Sequence, residues 1–201
     1  MRNRVVSILA AAAVAAVSMP AAAQRTSQSY EFLEAVKKRK GEEVTKMLAT
    51  PGSVLVNVRQ PGDGESGLHI VARGRDLNWL DFLLSKGARP DTQNNAGETP
   101  LMLAAQLGWV EGAEVLLRRR ASVDLANSRG ETPLIRAVQK RDLAFVRLLL
   151  SRGANPKRTD SIAGYSALDY ARQDSRSGGI TKLLEEAAAK PASRPMAGPK
   201  L

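Results

Sequence analysis

The chain has no cysteine and only one histidine, His69, among its 201 residues. Without cysteine no disulfide can form, and with one histidine no Cys/His zinc site can be assembled. A Ser-His-Asp triad would need His69 as its base. The fold must therefore rest on packing alone. The sequence predicts neither an enzyme nor a bound cofactor or metal.

Aromatic residues are also scarce, with two tryptophans, three tyrosines and three phenylalanines. The chain is basic: 30 Lys and Arg residues face 20 Asp and Glu residues, a net charge of +10 at pH 7. The basic residues are not interleaved with aromatic side chains that could stack on bases, so we expect no nucleic-acid partner. The excess charge favours an acidic partner through electrostatic steering.

Long apolar runs are missing except near the N-terminus, where Val5–Met19 follows Arg2 and Arg4 and precedes three alanines. This pattern predicts a signal peptide over residues 1–23, cleaved near Ala23. The alternative, an uncleaved membrane anchor, is disfavoured because the stretch is short and rich in alanine. We therefore expect a periplasmic or secreted protein whose mature chain has no transmembrane segment.

A short motif recurs along the chain at a fixed interval. Gly-Glu-Thr-Pro-Leu at 97–101 is repeated at 130–134, and weaker copies begin at Gly64 and Gly164. The four glycines are thus 33, 33 and 34 residues apart. A period in this range indicates stacked supersecondary units rather than a single globular core.

The residues after each glycine have the chemistry of helix ends. Thr99 suits a helix N-cap, and Pro100 suits the first helical position, where no amide donor is needed. A second amphipathic helix is predicted over Val110–Arg119. Gly87 and Gly153 suit the left-handed residue that ends such a helix. The sequence therefore predicts an all-α chain of short paired helices, which need stacking for stability.

The pattern resembles the ankyrin repeat, whose signature is Thr-Pro-Leu-His, then Ala-Ala, Leu-Leu and Gly-Ala. Leucines hold one phase at 68, 101, 134 and 168, and leucine pairs hold another at 83–84, 116–117 and 149–150. The resemblance implies a solenoid of helix–turn–helix units joined by β-turn fingers. It also implies a protein that binds another protein without catalysis of its own.

The resemblance covers about residues 30–190, within a predicted repeat domain at 24–190. Its first and last units are expected to be degenerate caps. Residues 191–201 are rich in proline, lack periodicity and predict a disordered tail. We expect a monomer of five units, near residues 30–60, 64–96, 97–129, 130–163 and 164–190.

Three arginines depart from the repeat pattern. Arg120 replaces a helix-ending glycine, whereas Arg75 and Arg141 replace the glycine between the two helices, which one unit keeps as Gly108. A left-handed conformation costs a non-glycine residue about 1–2 kcal/mol. These arginines therefore either carry a function or indicate a fold with stability to spare.

Some residues invite other interpretations. Residues 62–67 match Gly-x-Gly-x-x-Gly, which binds dinucleotides in a βαβ unit. Gly64, however, is in phase with the repeat, which explains the same residues.

His69 stands at the histidine of the Thr-Pro-Leu-His signature, where the resemblance implies a local hydrogen-bonding role. Trp79 is predicted to be in the core. Trp109 is expected to be partly exposed. Two interpretations stay open for it, a side chain that packs against the fold or an aromatic side chain that contacts a partner.

The resemblance implies that a partner protein contacts the concave face, made of the finger tips and the first helix of each unit. This surface is polar, with Leu107 and Tyr165 as apolar anchors, which suits protein recognition better than a small-molecule pocket. The candidate contact residues, assigned by phase, are Glu65, Arg73, Glu98, Gln106, Leu107, Arg129, Glu131, Gln139, Lys140 and Tyr165.

A second candidate site is a basic ladder formed by Lys86, Arg119 and Arg152, which are 33 residues apart. Stacking would place them in a row about 8–10 Å apart. The ladder would bind an anionic envelope polymer or a lipid head group. Alternatively, these residues are the solvated ends of helices, where basic side chains suit the helix dipole.

Overall fold

The structure is a computed structural model that describes residues 21–50 and 53–189. The predicted signal peptide lies outside these residues as far as residue 20, and the predicted tail at 191–201 lies outside them entirely. Within the described ranges the chain forms ten α-helices and two short 3₁₀ helices, Leu55–Asn57 and Ser175–Ser177. The only β-type pairing there consists of two isolated bridges, Arg59–Ser66 and Thr159–Ser166.

The helices form five consecutive pairs. Helices α1, α3, α5, α7 and α9 contact one another in that order and form an inner row, whereas α4, α6, α8 and α10 form an outer row. This arrangement confirms the predicted all-α solenoid. The helices are α1 (Ala21–Lys37), α2 (Gly41–Leu48), α3 (Gly67–Arg73), α4 (Leu77–Ser85), α5 (Pro100–Leu107), α6 (Val110–Arg118), α7 (Pro133–Gln139), α8 (Leu143–Ser151), α9 (Ala167–Gln173) and α10 (Gly178–Ala189).

The inner helices begin where the sequence predicts. The Thr99 hydroxyl accepts a hydrogen bond from the Met102 amide at 3.2 Å, and Thr132 repeats this contact with Ile135 at 3.3 Å. Pro100 occupies the first turn of α5. Each cap satisfies an amide that the helix itself leaves without an acceptor.

The outer helices end on left-handed residues. Gly87 and Gly153 have φ angles of 89° and 85°, as predicted from their place in the repeat. Helix α6 ends at Arg118, one residue earlier than predicted, and Arg120 then takes the left-handed conformation with φ of 65°. This arginine therefore adopts the backbone conformation of the glycine it replaces.

The exposure of the two tryptophans differs from the prediction, although the packing interpretation of Trp109 is confirmed. Trp109 is buried, with 5% of its surface exposed, whereas Trp79 is only partly buried. Trp109 packs directly over Gly112, where a Cβ atom would lie 2.2 Å from the indole ring. Trp79 instead makes an edge-to-face contact with Phe82 and lies beneath the Arg39 guanidinium. The absence of a side chain at Gly112 creates the space that buries Trp109.

The fingers are the loops that precede α3, α5, α7 and α9, and each turns at a left-handed glycine. They stack tightly: a Cβ atom on Gly97 would lie 2.6 Å from the Ser128 backbone nitrogen. Ser128 donates a backbone hydrogen bond to Ala96 at 3.0 Å. Gly164, in the last finger, has nothing within 4 Å of the same position. Equivalent hydrogen bonds join the other neighbouring fingers, from Asn95 to Asp63 and from Ser161 to Arg129.

Four arginines have left-handed backbones, and three of them connect neighbouring units. Arg39, Arg75 and Arg141, with φ of 58°, 50° and 56°, each follow an inner helix. Their side chains donate hydrogen bonds into the next unit, to the Asp76 carboxylate, the Leu107 carbonyl and the Asp174 carboxylate, respectively. These contacts offset the backbone strain. They show that Arg75 and Arg141, which replace a glycine of the repeat, have a structural role.

Arg120 is the exception among these four. Its side chain is exposed and makes no hydrogen bond or ion pair with any residue the structure describes. Nothing in that part of the chain offsets the strain of about 1–2 kcal/mol that its conformation imposes.

Replacing Arg120 with glycine is therefore expected to raise the melting temperature by about 2–8 °C, because the strain disappears and no contact is lost. Thermal unfolding followed by circular dichroism measures this. Arg141→Gly is the matched control, and its gain should be smaller because the bond to Asp174 is lost as well. A melting temperature that stays constant or falls in Arg120→Gly contradicts the prediction.

Candidate protein-binding surface

The inner row begins with a series of inward-turned glutamates. Glu65 and Glu98 each follow a left-handed finger glycine, and the Glu65 side chain is only 12% exposed. The Glu65 carboxylate accepts a hydrogen bond from Arg73 at 2.7 Å, and Glu98 accepts one from Gln106 at 2.9 Å. Each pair ties a finger to the inner helix that follows it.

Glu131 is the third member of this series and has the most partners. Its carboxylate accepts hydrogen bonds from Asn127 at 2.7 Å and Arg129 at 3.0 Å, and it pairs with Arg136 at 2.9 Å. Arg136 also lies 3.6 Å from Glu98 and so links two units. These contacts join the fingers that precede α5 and α7, together with those helices, into one polar network.

Arg136 is not among the predicted contact residues, although the sequence contains a signal for it. The side chain is 17% exposed, and its Nε atom is buried without a hydrogen-bond partner in the described residues. An arginine at this position breaks an otherwise apolar or aromatic phase of the repeat, which is occupied elsewhere by Ile70, Leu103 and Tyr170.

The predicted contact residues fall into two groups. Four remain outside the polar network, of which Gln139, Lys140 and Tyr165 are exposed and Leu107 is half-buried. The free positions therefore lie mainly at α7 and the last finger, towards the C-terminal end of the inner row. Six others bond to one another or to network residues and are held in place: Glu65, Arg73, Glu98, Gln106, Arg129 and Glu131.

Tyr165 packs against a second tyrosine, Tyr170. The two rings meet edge to face, with 5.6 Å between the centroids of Tyr165 and Tyr170. The Tyr170 hydroxyl donates to Asp160 at 2.7 Å, and this hydrogen bond, with burial, raises the pKa of Tyr170 to about 12. Tyr170 therefore stays protonated and fixed, while Tyr165 leaves 41% of its surface exposed.

An open pocket of about 370 Å³ lies between α7 and α9, beside Tyr170. Arg141 and Asp174 form an ion pair in its wall. The hydrogen bond from Arg141 lowers the pKa of Asp174 to about 2, so the pair is charged at neutral pH. The pocket thus combines an apolar wall with amides and a fixed ion pair. Its lining residues are Val138, Gln139, Arg141, Tyr170, Gln173 and Asp174.

His69 has the structural role that the resemblance implies. It is fully buried, its Nδ1 lies 2.8 Å from the Ser66 hydroxyl, and its Nε2 lies 2.9 Å from the Glu98 carbonyl. Burial lowers the pKa of His69, which keeps the ring neutral at pH 7. The ring links one finger to the next, and both of its nitrogens are engaged.

The basic-ladder residues occupy equivalent places, each directly after an outer helix. Arg152 is exposed, and Lys86 lies 5.7 Å from the Phe82 ring. Arg119 pairs with Asp81 of the preceding unit at 2.9 Å. The central charge of the predicted ladder is thus partly neutralised within the chain.

Neither a metal site nor a membrane span is present in residues 21–50 and 53–189. This part of the chain contains no group of three or more His, Cys, Asp or Glu residues placed to hold a metal ion. Every helix in it is too short or too polar to span a lipid bilayer.

Stacked helix pairs with finger loops and a polar inner face define the chain as an α-helical repeat protein of the kind that binds other proteins. A family model described as ankyrin repeats (3 copies) matches residues 32–127 and 68–160. The chain belongs to the ankyrin-repeat family. Repeats of this family generally mediate protein–protein interaction.

A curated relative comes from Arabidopsis thaliana and is named "Putative E3 ubiquitin-protein ligase XBAT31". It is 38% identical over 65 residues, which are 32% of this chain and 14% of the relative. The similarity therefore relates a run of repeats in the two proteins and does not extend to the rest of the relative.

Proposed function

We propose that this protein binds another protein through the C-terminal half of its concave face. The binding surface would comprise Tyr165 and the pocket between α7 and α9. The observation that carries the proposal is the unequal use of the face. Its N-terminal half is occupied by internal pairs, whereas the C-terminal half has an exposed tyrosine in contact with Tyr170, which lines an open pocket. Exposed aromatic anchors next to well-packed polar groups are typical of binding hot spots.

The protein would act by binding alone, as a monomer and without catalysis. This part of the proposal is supported by the engagement of both nitrogens of its single histidine. A partner side chain could enter the pocket, while Gln139 and Gln173 offer amide donors and acceptors at its rim. Such amphipathic sites suit protein side chains.

The proposed compartment is the periplasm or the cell exterior, reached through removal of residues 1–23. The support comes from the basic start at Arg2 and Arg4, the apolar stretch Val5–Met19 and the small residues before Ala23.

The experiment is site-specific photo-cross-linking of the full-length chain in intact cells. Benzoylphenylalanine replaces Tyr165, Gln139 or, as control, Tyr30, an exposed tyrosine on α1 at the other end of the solenoid. We expect positions 165 and 139 to capture the same protein and position 30 not to capture it. The mass of the cross-linked chain also shows whether residues 1–23 are removed.

Equal capture of the same protein from position 30 would contradict the assignment to the C-terminal half. Capture of a second copy of this chain at all three positions would contradict the proposed monomer. An uncleaved N-terminus would contradict the proposed export and leave the binding surface unaffected.

A further inference from the structure

The outer edge of the solenoid has a basic strip at the C-terminal ends of the outer helices. The strip comprises Lys86, Arg118, Arg120 and Arg152, all of which are exposed. Among the described residues, the three arginines have no ion-pair or hydrogen-bond partner for their side chains, unlike the neighbouring Arg119. The strip therefore presents uncompensated guanidinium groups to solvent.

Several acids of the outer row are engaged by other groups. Asp81 pairs with Arg119 at 2.9 Å. Asp91 accepts a hydrogen bond from the Ser122 amide at 2.8 Å, and Asp124 accepts one from the Asn155 amide at 3.1 Å. These acids support the stacking of the loops and form no ion pair with a residue of the strip in the described chain, and neither does Glu114, one helical turn before Arg118 in α6.

Arg120 is the residue that distinguishes a functional strip from a set of ordinary helix ends. The helix dipole favours basic residues after a helix, which accounts for Lys86 and Arg152. It does not account for an arginine in a left-handed conformation that glycine would adopt without strain. The three other left-handed arginines each connect two units, whereas Arg120 has no such contact in the described chain. Uncompensated backbone strain of this kind points to a contact outside the molecule.

We infer that the basic strip binds an acidic segment of a partner protein. Stacked helices lie about 8–10 Å apart. A segment in the polyproline II conformation has three residues per turn and advances about 3.1 Å per residue, so every third side chain lies on the same face about 9 Å further on. Carboxylates at every third residue of such a segment would therefore meet successive units of the solenoid. Guanidinium groups bind carboxylates in a two-pronged, charge-assisted arrangement. The inference rests on the proposed function in that the partner is a protein, and it adds a second contact surface.

Two features favour carboxylates on a polypeptide over phosphate on a lipid or polymer. Of the large exposed apolar side chains of the described residues, only Val54 is in a segment that contacts the end of the strip, where Asn57 donates to the Gly87 carbonyl. The strip therefore has no apolar cluster to insert into a bilayer; the others are Tyr30 on α1, Leu77 and Leu143 at the N-terminal ends of α4 and α8, and Ile162 and Tyr165 in the last finger. Phosphate sites typically use the amide groups at helix N-termini, whereas the strip lies at helix C-termini, where carbonyl groups point outward.

The test measures binding of a fluorescein-labelled decaglutamate peptide to the full-length protein by fluorescence anisotropy. Arg120→Gly should weaken binding about fivefold, the loss of roughly one ion pair, while raising the melting temperature. The matched control is Arg75→Gly, which removes the same charge from the same left-handed backbone conformation, away from both the strip and the pocket, and should leave affinity unchanged. Adding Arg118→Gln and Arg152→Gln to Arg120→Gly should bring the loss to about a hundredfold. Raising NaCl from 50 to 300 mM should weaken wild-type binding more than tenfold.

Equal losses in Arg120→Gly and Arg75→Gly would overturn the inference, because binding would then depend on net charge alone. So would binding of polyphosphate or phosphatidylglycerol vesicles with no binding of decaglutamate. Arg120→Gly with lowered melting temperature and unchanged affinity would assign Arg120 to the fold. None of these results bears on the concave face, which is tested separately by cross-linking at positions 165 and 139.

Discussion

Replacing Gly97 with alanine is expected to lower the free energy of unfolding by about 2–4 kcal/mol. The left-handed backbone alone costs alanine about 1–2 kcal/mol. In addition, the new methyl group would lie 2.6 Å from the backbone nitrogen of Ser128, which donates to Ala96. The neighbouring backbone cannot yield as a flexible side chain can, so the two fingers must separate and weaken a hydrogen bond worth about 1 kcal/mol.

Gly164→Ala is the matched control for this prediction. Gly164 has the same left-handed conformation, with φ of 68° against 75° at Gly97, but nothing lies within 4 Å of its Cβ position. The free energy of unfolding of Gly164→Ala should therefore fall only by the cost of the left-handed backbone, about 1–2 kcal/mol. Urea unfolding of both variants measures the difference, which is the contribution of finger stacking. Equal losses at the two positions would show that the fingers do not support each other.

Replacing Gly112 with alanine is expected to destabilise the protein by about 1–3 kcal/mol, although alanine is the better helix former. Gly112 lies inside α6, where helix propensity alone predicts a gain of about 1 kcal/mol. The new methyl group would however lie 2.2–2.4 Å from three ring atoms of Trp109. The indole is buried, so relief requires it to leave the core or the helices to move apart.

Two further variants establish the cause. Gly179→Ala, in α10 with nothing within 4 Å of the Cβ position, should be neutral or slightly stabilising. The loss at Gly112 should shrink in a Trp109→His background, because the smaller ring leaves room for the methyl group, and a double-mutant cycle measures this coupling. Thermal and urea unfolding provide the measurements. A gain in stability from Gly112→Ala would show that Trp109 does not depend on the missing side chain.

The internal pairing of the concave face changes how its surface is interpreted. Glu65, Glu98 and Glu131 recur at one phase of the repeat, which made them candidates for partner contact. In the structure they hold the fingers onto the inner helices through Arg73, Gln106 and Arg136, respectively. A partner that binds this half of the face would have to compete with these bonds, whereas at Tyr165 and the pocket it would meet only the Arg141–Asp174 pair.

Much of the fold is encoded locally and could be predicted. Helix starts at Thr99 and Thr132 depend on residues within one turn, and the left-handed turns at Gly87 and Gly153 depend on a single backbone preference. The period of 33 residues then requires the units to stack, because short amphipathic helices are unstable alone. Local rules of this kind act within a few residues and are visible in the sequence.

The sequence by itself determined the repeat, the helix boundaries to within a residue in α6, and the solenoid class. Only the tertiary structure decided which side chains are free, because those contacts join residues of neighbouring units. Arg39 and Arg141 form inter-unit bridges while Arg120 does not, and Trp109 is buried because Gly112 lies beneath it. Repeat phase specifies the row in which a residue lies. The partners of that residue depend on distances of a few ångströms between units, and these distances cannot be read from the phase.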